Sequence, residues 1–378
     1  MRGGVSAGGI PESKKEWTKN MSRIAEEKLV KYLEEHQLGA FLVSRPVNVK
    51  YISGYTGEDS WLFLTADKKY FITDPRYTEQ VSGECPEYTI VEWRKEYGSV
   101  PAAVAGLAKK EGLKTAAFEA DHLVVEFYKK LQEQTGAELV PVTGVVEELR
   151  SHKTPQEIEY LRAACEIASR AYEKIQKDIR VGITEKELAA NLSRYMVLEG
   201  ADTQPYGNIL ISGPRTSLLH GIPSDRAIQY GDLVLMDYGC QYHGYLSDMT
   251  RTLVVGKATE RQREVYRLEQ QMVEDTEKTI KAGTTAGESY EASIRCIRDT
   301  EYFPYHYSGI GHGVGMFVHE LPFLRPHSEE ILQKDTVMTV EPGIYIPGWG
   351  GIRIEDQILV TENGMENLTG ATKELIEL

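Results

Sequence analysis

Short apolar runs alternate with amphipathic patterns along the first part of the chain. The apolar runs predict strands at 40–43, 61–65, 70–73 and 115–119, and apolar residues at helical spacing predict helices at 11–36, 100–110 and 124–134. Residues 66–69 join the second and third of these strands, which indicates a hairpin. Strands that alternate with helices are typical of a small α/β domain.

A different pattern begins near residue 150. Three sequences carry the signature of a capping box, in which a threonine precedes a glutamate or glutamine by three positions: Thr154-Pro-Gln-Glu157, Thr184-Glu-Lys-Glu187 and Thr259-Glu-Arg-Gln262. The helices that they begin are separated and followed by β-rich stretches at 207–213, 231–255 and 335–360. We therefore predict a flexible arm at 1–16, an α/β domain at 17–150 and an α+β domain with a mostly antiparallel sheet at 151–378.

Composition narrows the class of protein. A chain of 378 residues suggests two domains, and its net charge of −14 argues against an electrostatic nucleic-acid surface. No apolar run is long enough to span a membrane, and the N-terminus lacks the apolar segment of a secretory signal. The four cysteines lie far apart, in no metal-ligand spacing. We expect a reduced, cytoplasmic protein.

Two aspartates flank a predicted hairpin in the second half. Asp237 follows the apolar run 233–236, and Asp248 is its mirror image if the hairpin is centred between Tyr242 and His243. Facing residues of a hairpin share one face, with Cβ atoms roughly 5 Å apart. Carboxylates that close repel each other unless a cation lies between them. A metal site and two surface aspartates on a loop are equally compatible with this hairpin alone.

A second hairpin carries two glutamates. Glu341 ends the apolar run 337–340, Glu355 lies in an alternating segment, and the two are symmetric about Gly348. A histidine, His312, stands among the glycines of Gly309-Ile-Gly-His-Gly-Val-Gly315, which let a backbone approach a bound group closely. Taken singly, these features also suit a solvated strand edge and a tight turn with an incidental histidine.

Together, four carboxylates and one imidazole form a hard, oxygen-rich set of ligands. The set carries too much negative charge for one small cation with an open coordination position, and it suits two metal ions a few Å apart. Mn²⁺ fits best by ligand hardness, with Co²⁺, Fe²⁺ or Zn²⁺ as alternatives. Such a pair acidifies a shared water and polarises a carbonyl group, which is the chemistry of hydrolysis.

The second half resembles the pita-bread metallopeptidases: Xaa-Pro dipeptidase (prolidase), aminopeptidase P and, more distantly, methionine aminopeptidase. The first domain resembles their creatinase-like N-terminal domain in Asn48-Val-Lys-Tyr-Ile-Ser-Gly-Tyr-Thr-Gly57 and Thr73-Asp-Pro-Arg-Tyr77. The resemblance implies a pita-bread α+β catalytic domain whose metal ligands are Asp237, Asp248, His312, Glu341 and Glu355. It further implies that Asp248 and Glu355 touch both metals or lie between them, and that Glu341 is the general base.

The resemblance also extends to residues beside the ligands. His220 matches a substrate-side histidine, His319 matches one near the scissile carbonyl, and Arg353 matches an arginine that orients the ligands or the substrate carboxylate. These families usually carry another histidine four residues before the metal histidine, where this chain has Ser308, with His306 two residues earlier. Either His306 takes over through a shifted loop, or one helper at the substrate is missing. The departure bears on proline specificity and catalysis rather than on metal binding.

The resemblance implies a dinuclear metallopeptidase that removes an N-terminal residue preceding proline. We expect short proline-containing peptides as substrates, with dipeptides preferred because the chain is short for an aminopeptidase P, and a homodimer. Pro205 and Tyr206 are candidates for the substrate pocket. Two rivals remain: a hydrolase or lyase of the same fold acting on a non-peptide C–N or C–S bond, and a non-catalytic binding protein, which need hold no metal.

Overall fold

The structure is a computed structural model that describes residues 12–204 and 207–378. The first helix begins at Glu12, so residues 12–16, which we expected in a flexible arm, are helical; lysine and glutamate have high helix propensity and extend the helix towards the N-terminus. The rest of the predicted arm lies outside the described residues, as do Pro205 and Tyr206. The chain divides into two compact units between Arg150 and Ser151.

The first unit is an α/β domain. Its helices are α1 Glu12–Glu35, α2 Pro46–Ser53, α3 Thr78–Glu84, α4 Trp93–Glu96, α5 Val100–Lys110, α6 Val125–Gln134 and α7 Val145–Ser151. Its strands are β1 Phe41–Val43, β2 Ser60–Leu64, β3 Lys69–Thr73, β4 Thr89–Glu92, β5 Thr115–Glu119 and β6 Glu138–Val142. They form one mixed sheet in the order β4-β3-β2-β1-β5-β6. The hairpin predicted at 61–73 is confirmed, because β2 and β3 pair antiparallel.

The second unit contains four long or medium helices and twelve short strands among its described residues. The helices are α8 Pro155–Ile175, α9 Glu185–Leu198, α10 Glu260–Thr279 and α11 Ala286–Ser293. The strands are β7 Ile209–Ser212, β8 Leu233–Tyr238, β9 Gln241–Tyr242, β10 Tyr245–Leu246, β11 Met249–Val254, β12 Gly311–Gly313, β13 Glu320–Leu324, β14 Val337–Val340, β15 Gly343–Ile346, β16 Gly350–Arg353, β17 Asp356–Val360 and β18 Met365–Asn367.

The predicted capping boxes begin three of these helices. In each, the threonine side chain accepts a hydrogen bond from the backbone N–H three residues later, and the glutamate or glutamine side chain at that position accepts one from the threonine N–H, as expected for Thr154, Thr184 and Thr259. A fourth box at Thr285 begins α11 and was not anticipated. Such caps satisfy backbone N–H groups that have no partner within a helix.

Each pair of helices covers one sheet of the second unit. Helices α8 and α9 share a buried apolar cluster with the sheet β11-β8-β7, for example through Ala168, Leu192 and Met236. Helices α10 and α11 share another with the sheet β13-β12-β14-β17-β18, for example through Met272 and Met338. The strand pairings within both sheets are antiparallel, which confirms the predicted α+β organisation.

No helix within the described ranges combines the length and the apolarity that crossing a bilayer requires. The four cysteines are free thiols, and Cys240 is buried in the core with its Sγ 3.4 Å from the Ala164 carbonyl oxygen.

Candidate metal centre

The first acid-bearing hairpin has a register different from the predicted one. Asp237 on β8 lies opposite Thr250 on β11, so the prediction that it directly faces Asp248 is wrong. The turn is formed by His243 and Gly244, whose φ angles of 51° and 86° suit a two-residue hairpin turn. This moves the centre of the hairpin one residue along the chain. Because side chains alternate between faces, Asp248 shares the face of Thr250 and lies diagonally across from Asp237.

The second acid-bearing hairpin has the predicted register. Gly343 pairs with Arg353 in the β15–β16 ladder, and Val340 pairs with Asp356 in the β14–β17 ladder. Glu341 and Glu355 therefore lie opposite each other between the two ladders, which confirms the symmetry about Gly348. The two hairpins meet where the Glu355 N–H donates to the Thr250 carbonyl oxygen at 3.0 Å.

One cavity of about 1160 Å³ brings together the residues singled out from the sequence. Its lining includes Asp237, Asp248, His312, Glu341, Glu355, His220, His319 and Arg353. The two hairpins, the strand β12 and the loop that follows β12 thus contribute side chains to a single space within the second unit.

Three of the predicted ligands lie close together in this cavity. Asp248, His312 and Glu355 each offer an atom within 4.8 Å of the others. The His312 Nε2 lies 3.1 Å from Glu341 Oε1 and 3.6 Å from Asp248 Oδ2. The other ring nitrogen, Nδ1, is 3.1 Å from the Gly313 carbonyl oxygen and so acts as a donor, which directs Nε2 towards the carboxylates.

Neighbouring polar groups orient the carboxylates. The Thr250 hydroxyl donates to Glu355 Oε2 at 2.7 Å, and the Thr339 hydroxyl donates to Glu341 Oε1 at 3.1 Å. The second oxygen of Glu355, Oε1, is buried and has no hydrogen-bond partner. A buried carboxylate oxygen without a donor is costly, and a cation is the partner that would satisfy it.

The carboxylates of the site repel one another, and this also favours a bound cation. Burial and the nearby Asp248 and Glu341 carboxylates raise the pKa of Glu355 well above its ordinary value. Burial also raises the pKa of Asp237, although the Arg353 guanidinium opposes this. Hard oxygen donors that repel one another when ionised fit one or more divalent cations, so the residues present match the metal site that the sequence predicts.

The histidine and the base candidate stabilise each other. Burial disfavours the charged form of His312, but its hydrogen bond with Glu341 and the charge of Asp248 raise its pKa to about 9. Burial disfavours the ionised Glu341, but the same hydrogen bond and the positive charge of His312 hold the pKa of Glu341 below its ordinary value. Glu341 therefore stays ionised at neutral pH.

Arg353 is buried against the first hairpin. Its Nε donates to the Thr250 hydroxyl at 3.0 Å, one terminal nitrogen donates to the Tyr345 hydroxyl at 2.7 Å, and the other contacts the Asp237 carboxylate. Arg353 thus orients a predicted ligand. Tyr345 was not predicted from the sequence, although the alternation of β15 places it on the same face as Arg353.

The two substrate-side histidines line the cavity, and both are exposed. The His319 ring lies 4.5 Å from the His312 ring, centroid to centroid. Burial and the nearby His312 lower the pKa of His319, so its imidazole is neutral at neutral pH. His220 is exposed and follows the 3-10 helix Gly213–Ser217.

His306 does not replace the histidine that is missing at Ser308. Its Nε2 lies 2.9 Å from the Tyr290 hydroxyl, and its Nδ1 lies 2.5 Å from the Phe303 carbonyl oxygen. The segment instead presents Tyr307 and Gly309 to the cavity. Of the two alternatives left open by the sequence, the shifted-loop alternative therefore finds no support in this arrangement.

Two buried ion pairs support the site and were not predicted. Lys153 Nζ lies 3.3 Å from Glu320 Oε2, and Glu320 Oε1 accepts the Phe317 N–H at 2.9 Å, which closes the turn that carries His319. Arg251 and Asp356, adjacent in the chain to the Thr250 and Glu355 contact, form the second pair at 2.6 Å. Both pairs join segments distant in sequence, so periodicity gave no sign of them.

Comparison with known proteins decides the family. Metallopeptidase family M24 matches residues 159–362, and the Creatinase/Prolidase N-terminal domain matches residues 26–152. The chain belongs to metallopeptidase family M24. It is accordingly a peptidase, a hydrolase, and its second unit has the expected pita-bread fold.

Several M24 relatives cover almost the whole chain. The uncharacterized peptidase YqhT of Bacillus subtilis is 39% identical over 357 residues, which are 93% of this chain and 99% of the relative. A solved Xaa-Pro dipeptidase from Bacillus anthracis superposes with a TM-score of 0.90 at 36% identity, covering 94% of this chain and 100% of its own. A solved X-Pro aminopeptidase from Thermotoga maritima gives 0.87 at 31% identity, covering 93% and 99%.

Proposed function

We propose that this M24 peptidase hydrolyses the bond between an N-terminal residue and proline at a centre of two divalent metal ions, with Mn²⁺ favoured. The observation that carries the proposal is the cluster of four carboxylates around His312, in which Glu355 Oε1 is buried without a partner. The residues that would hold the ions are Asp237, Asp248, His312, Glu341 and Glu355. Such ions supply a Lewis acid and lower the pKa of a coordinated water.

The side chains around the ligands have the roles that hydrolysis requires. Glu341 is ionised, is oriented by Thr339 and His312, and accepts a proton as general base. His319 lines the cavity beside His312, its pKa is lowered, and it donates a hydrogen bond to the substrate carbonyl as negative charge develops there. Arg353 holds the Asp237 carboxylate in place.

The preference for proline rests on the relatives. An Xaa-Pro dipeptidase and an X-Pro aminopeptidase both match this chain over more than nine-tenths of its length. Proline forms a tertiary amide without an N–H, so a pocket shaped for it excludes other residues by form rather than by hydrogen bonding. The homodimer and the cytoplasmic location remain predictions.

The proposal is tested by metal analysis and peptide hydrolysis on the same preparation. Protein loaded with Mn²⁺ is given Ala-Pro, a longer peptide that begins with Ala-Pro, and Ala-Ala, and the release of alanine is measured. We expect two ions per chain and release only where proline follows alanine. Glu341→Gln is the inactive control, because it keeps the shape of the side chain and removes both the base and one of the proposed ligands.

The result also separates the two rivals. Metal-loaded protein that cleaves neither proline peptide would contradict the proposal and favour a reaction at a non-peptide C–N or C–S bond. Protein that holds no metal would point to a binding protein instead. If Ala-Ala were cleaved at the same rate as Ala-Pro, the protein would still be a peptidase, but the proposed preference for proline would be wrong.

A further inference from the structure

The lining of the cavity bears on how long its substrates are, given that the proposed Xaa-Pro hydrolysis is right. In a dipeptide the carboxylate belongs to the proline itself, within about one residue length of the scissile bond. In a longer peptide the same position is a neutral amide. A carboxylate at that place needs a cation or several hydrogen-bond donors, and it loses binding energy without them.

The described lining residues offer no uncommitted lysine or arginine. Arg353 is the only one among them, and its guanidinium is buried and bonded to Thr250, Tyr345 and Asp237. Of the two residues between Gln204 and Gly207 in the chain, Pro205 and Tyr206, neither carries a charge.

Cations close to the rim are also engaged. Arg215 donates to the carbonyl oxygen of Ile222, which lines the cavity, at 2.6 Å, and its Nε is 3.2 Å from the buried Glu185 carboxylate. Lys153 is buried in its pair with Glu320, the residue after His319. Moving Arg215 or Lys153 towards a substrate would take away the cation that pairs with a buried carboxylate, which is unfavourable.

Two histidines, His220 and His319, also line the cavity. A ring N–H of either one donates one hydrogen bond. That is enough for a carbonyl oxygen. A carboxylate has two oxygens with about four acceptor sites, so one such bond leaves most of it unsatisfied.

Several apolar side chains line the cavity and are partly or largely exposed. Ile222 is 80% exposed and Tyr307 is 49% exposed, and both line the cavity. Phe323 also lines it, directly opposite His312 in the β12–β13 pair and half-buried. These side chains suit an amide and the residue that follows it better than a charged chain end.

We propose that the cavity selects peptides that continue beyond proline, so that the enzyme acts as an Xaa-Pro aminopeptidase on longer chains and discriminates against free dipeptides. This is opposite to the preference expected from chain length. The physical basis is a carboxylate that meets apolar groups and committed cations, and one unsatisfied polar group of this kind costs about tenfold or more in binding.

The test compares two substrates that differ only in the chain end. Metal-loaded enzyme is given Ala-Pro and alanyl-prolinamide, whose carboxamide is neutral, with Ala-Ala as a control. We expect kcat/KM to be about tenfold or more higher for the amide, mostly through KM, and calorimetry to give tighter binding of prolinamide than of proline. Equal values, or a preference for Ala-Pro, would overturn the proposal.

The outcomes keep the two proposals apart. A preference for Ala-Pro over both the amide and Ala-Ala would overturn the length selection and leave Xaa-Pro hydrolysis intact. Failure to cleave either proline substrate, with two ions bound, would overturn both.

A pair of variants tests the missing charge directly. Ile222→Arg places a cation at an exposed position of the mouth, and Ile222→Gln is the matched polar control. We expect the ratio of amide to dipeptide kcat/KM to fall severalfold in Ile222→Arg and to stay unchanged in Ile222→Gln. Equal ratios in the two variants would overturn the electrostatic explanation.

Discussion

The two acid-bearing hairpins each carry two of the proposed carboxylate ligands, but they differ in architecture. In the hairpin that carries Glu341 and Glu355, the acids face each other between ladders of one register. In the hairpin that carries Asp237 and Asp248, the turn at His243 and Gly244 shifts the register, and the acids are diagonal. Symmetry along a sequence therefore locates facing residues only where the turn itself is correctly identified.

The hairpins also differ in how their charges are balanced. The Asp237 carboxylate is paired with Arg353, a cation that comes from the other hairpin. Glu355 receives one hydrogen bond, from Thr250, and its other oxygen has no partner. We infer that the first hairpin is satisfied largely by the protein and that the second depends on bound cations. The following predictions test this contrast.

The largest effect is expected at the unsatisfied carboxylate. Glu355→Gln removes a charge that a bound cation would need, so we expect loss of bound metal and a fall in kcat of about 10³-fold, which is several kcal/mol of transition-state stabilisation. Metal analysis and alanine release measure the two effects. Full metal content in Glu355→Gln would contradict its assignment as a ligand.

The opposite hairpin should respond in stability before metal is added. Asp237→Asn leaves the buried Arg353 guanidinium without its anion, and we expect the metal-free protein to lose about 3 kcal/mol of unfolding free energy. Under the same conditions Glu355→Gln should be neutral or stabilising, because burial and the neighbouring acids raise the pKa of Glu355. Denaturant unfolding of both metal-free variants measures these changes in unfolding free energy. Equal losses of unfolding free energy would contradict the difference between the two hairpins.

A buried glutamate behind the second hairpin should make stability depend on pH. Glu269 Oε1 accepts the Ile354 N–H at 3.3 Å, its Oε2 has no partner, and burial raises its pKa from 4.5 to about 8. Because the pKa of Glu269 is higher in the folded protein, the folded state holds this proton more tightly than the unfolded state does. The resulting stabilisation of the folded state is fully present below pH 4.5 and is lost as the pH rises to about 8.

We therefore expect the stability of the wild type, relative to Glu269→Gln, to fall by about 1.4 kcal/mol per pH unit across that window. Denaturant unfolding at pH 5, 6, 7 and 8 on metal-free protein measures the difference. A difference that does not change with pH would show that Glu269 keeps an ordinary pKa.

The smallest effect is expected at the turns. Gly244 and Gly348 have φ of 86° and 77°, where a Cβ is strained, so alanine at either position should cost about 1 kcal/mol. Gly244 is four residues from Asp248, whereas Gly348 is seven residues from both Glu341 and Glu355. Gly244→Ala should therefore also weaken metal binding, whereas Gly348→Ala should leave it unchanged. Equal metal affinity in the two variants would show that the turn at Gly244 does not determine the position of Asp248.

These contrasts show what a single sequence can and cannot give. Local chemistry predicted the capping box at Thr154, the β2–β3 hairpin and the facing glutamates, because each depends on neighbours a few residues apart. The turn at His243 was misplaced because non-glycine residues uncommonly adopt positive φ, and His-Gly is a weaker turn signal than Asn-Gly or Asp-Gly. Lys153 and Glu320, 167 residues apart, meet only after folding.

The predicted site residues came together for the same reason. Each ligand stands in a short motif that can be recognised alone, and the family resemblance supplied the set. The groups that orient those ligands, such as Thr250 and Tyr345, are common residues in ordinary strands. Their roles depend on the register between strands, which the periodicity of one strand does not specify.

We propose that the four carboxylates and His312 hold two divalent ions. The most direct measurement is metal stoichiometry by mass spectrometry on protein equilibrated with Mn²⁺ and freed of excess metal, alongside Glu355→Gln. We predict two ions per chain in the wild type and fewer in the variant. A wild-type chain that retains no ion, or a variant that retains both, would contradict the account.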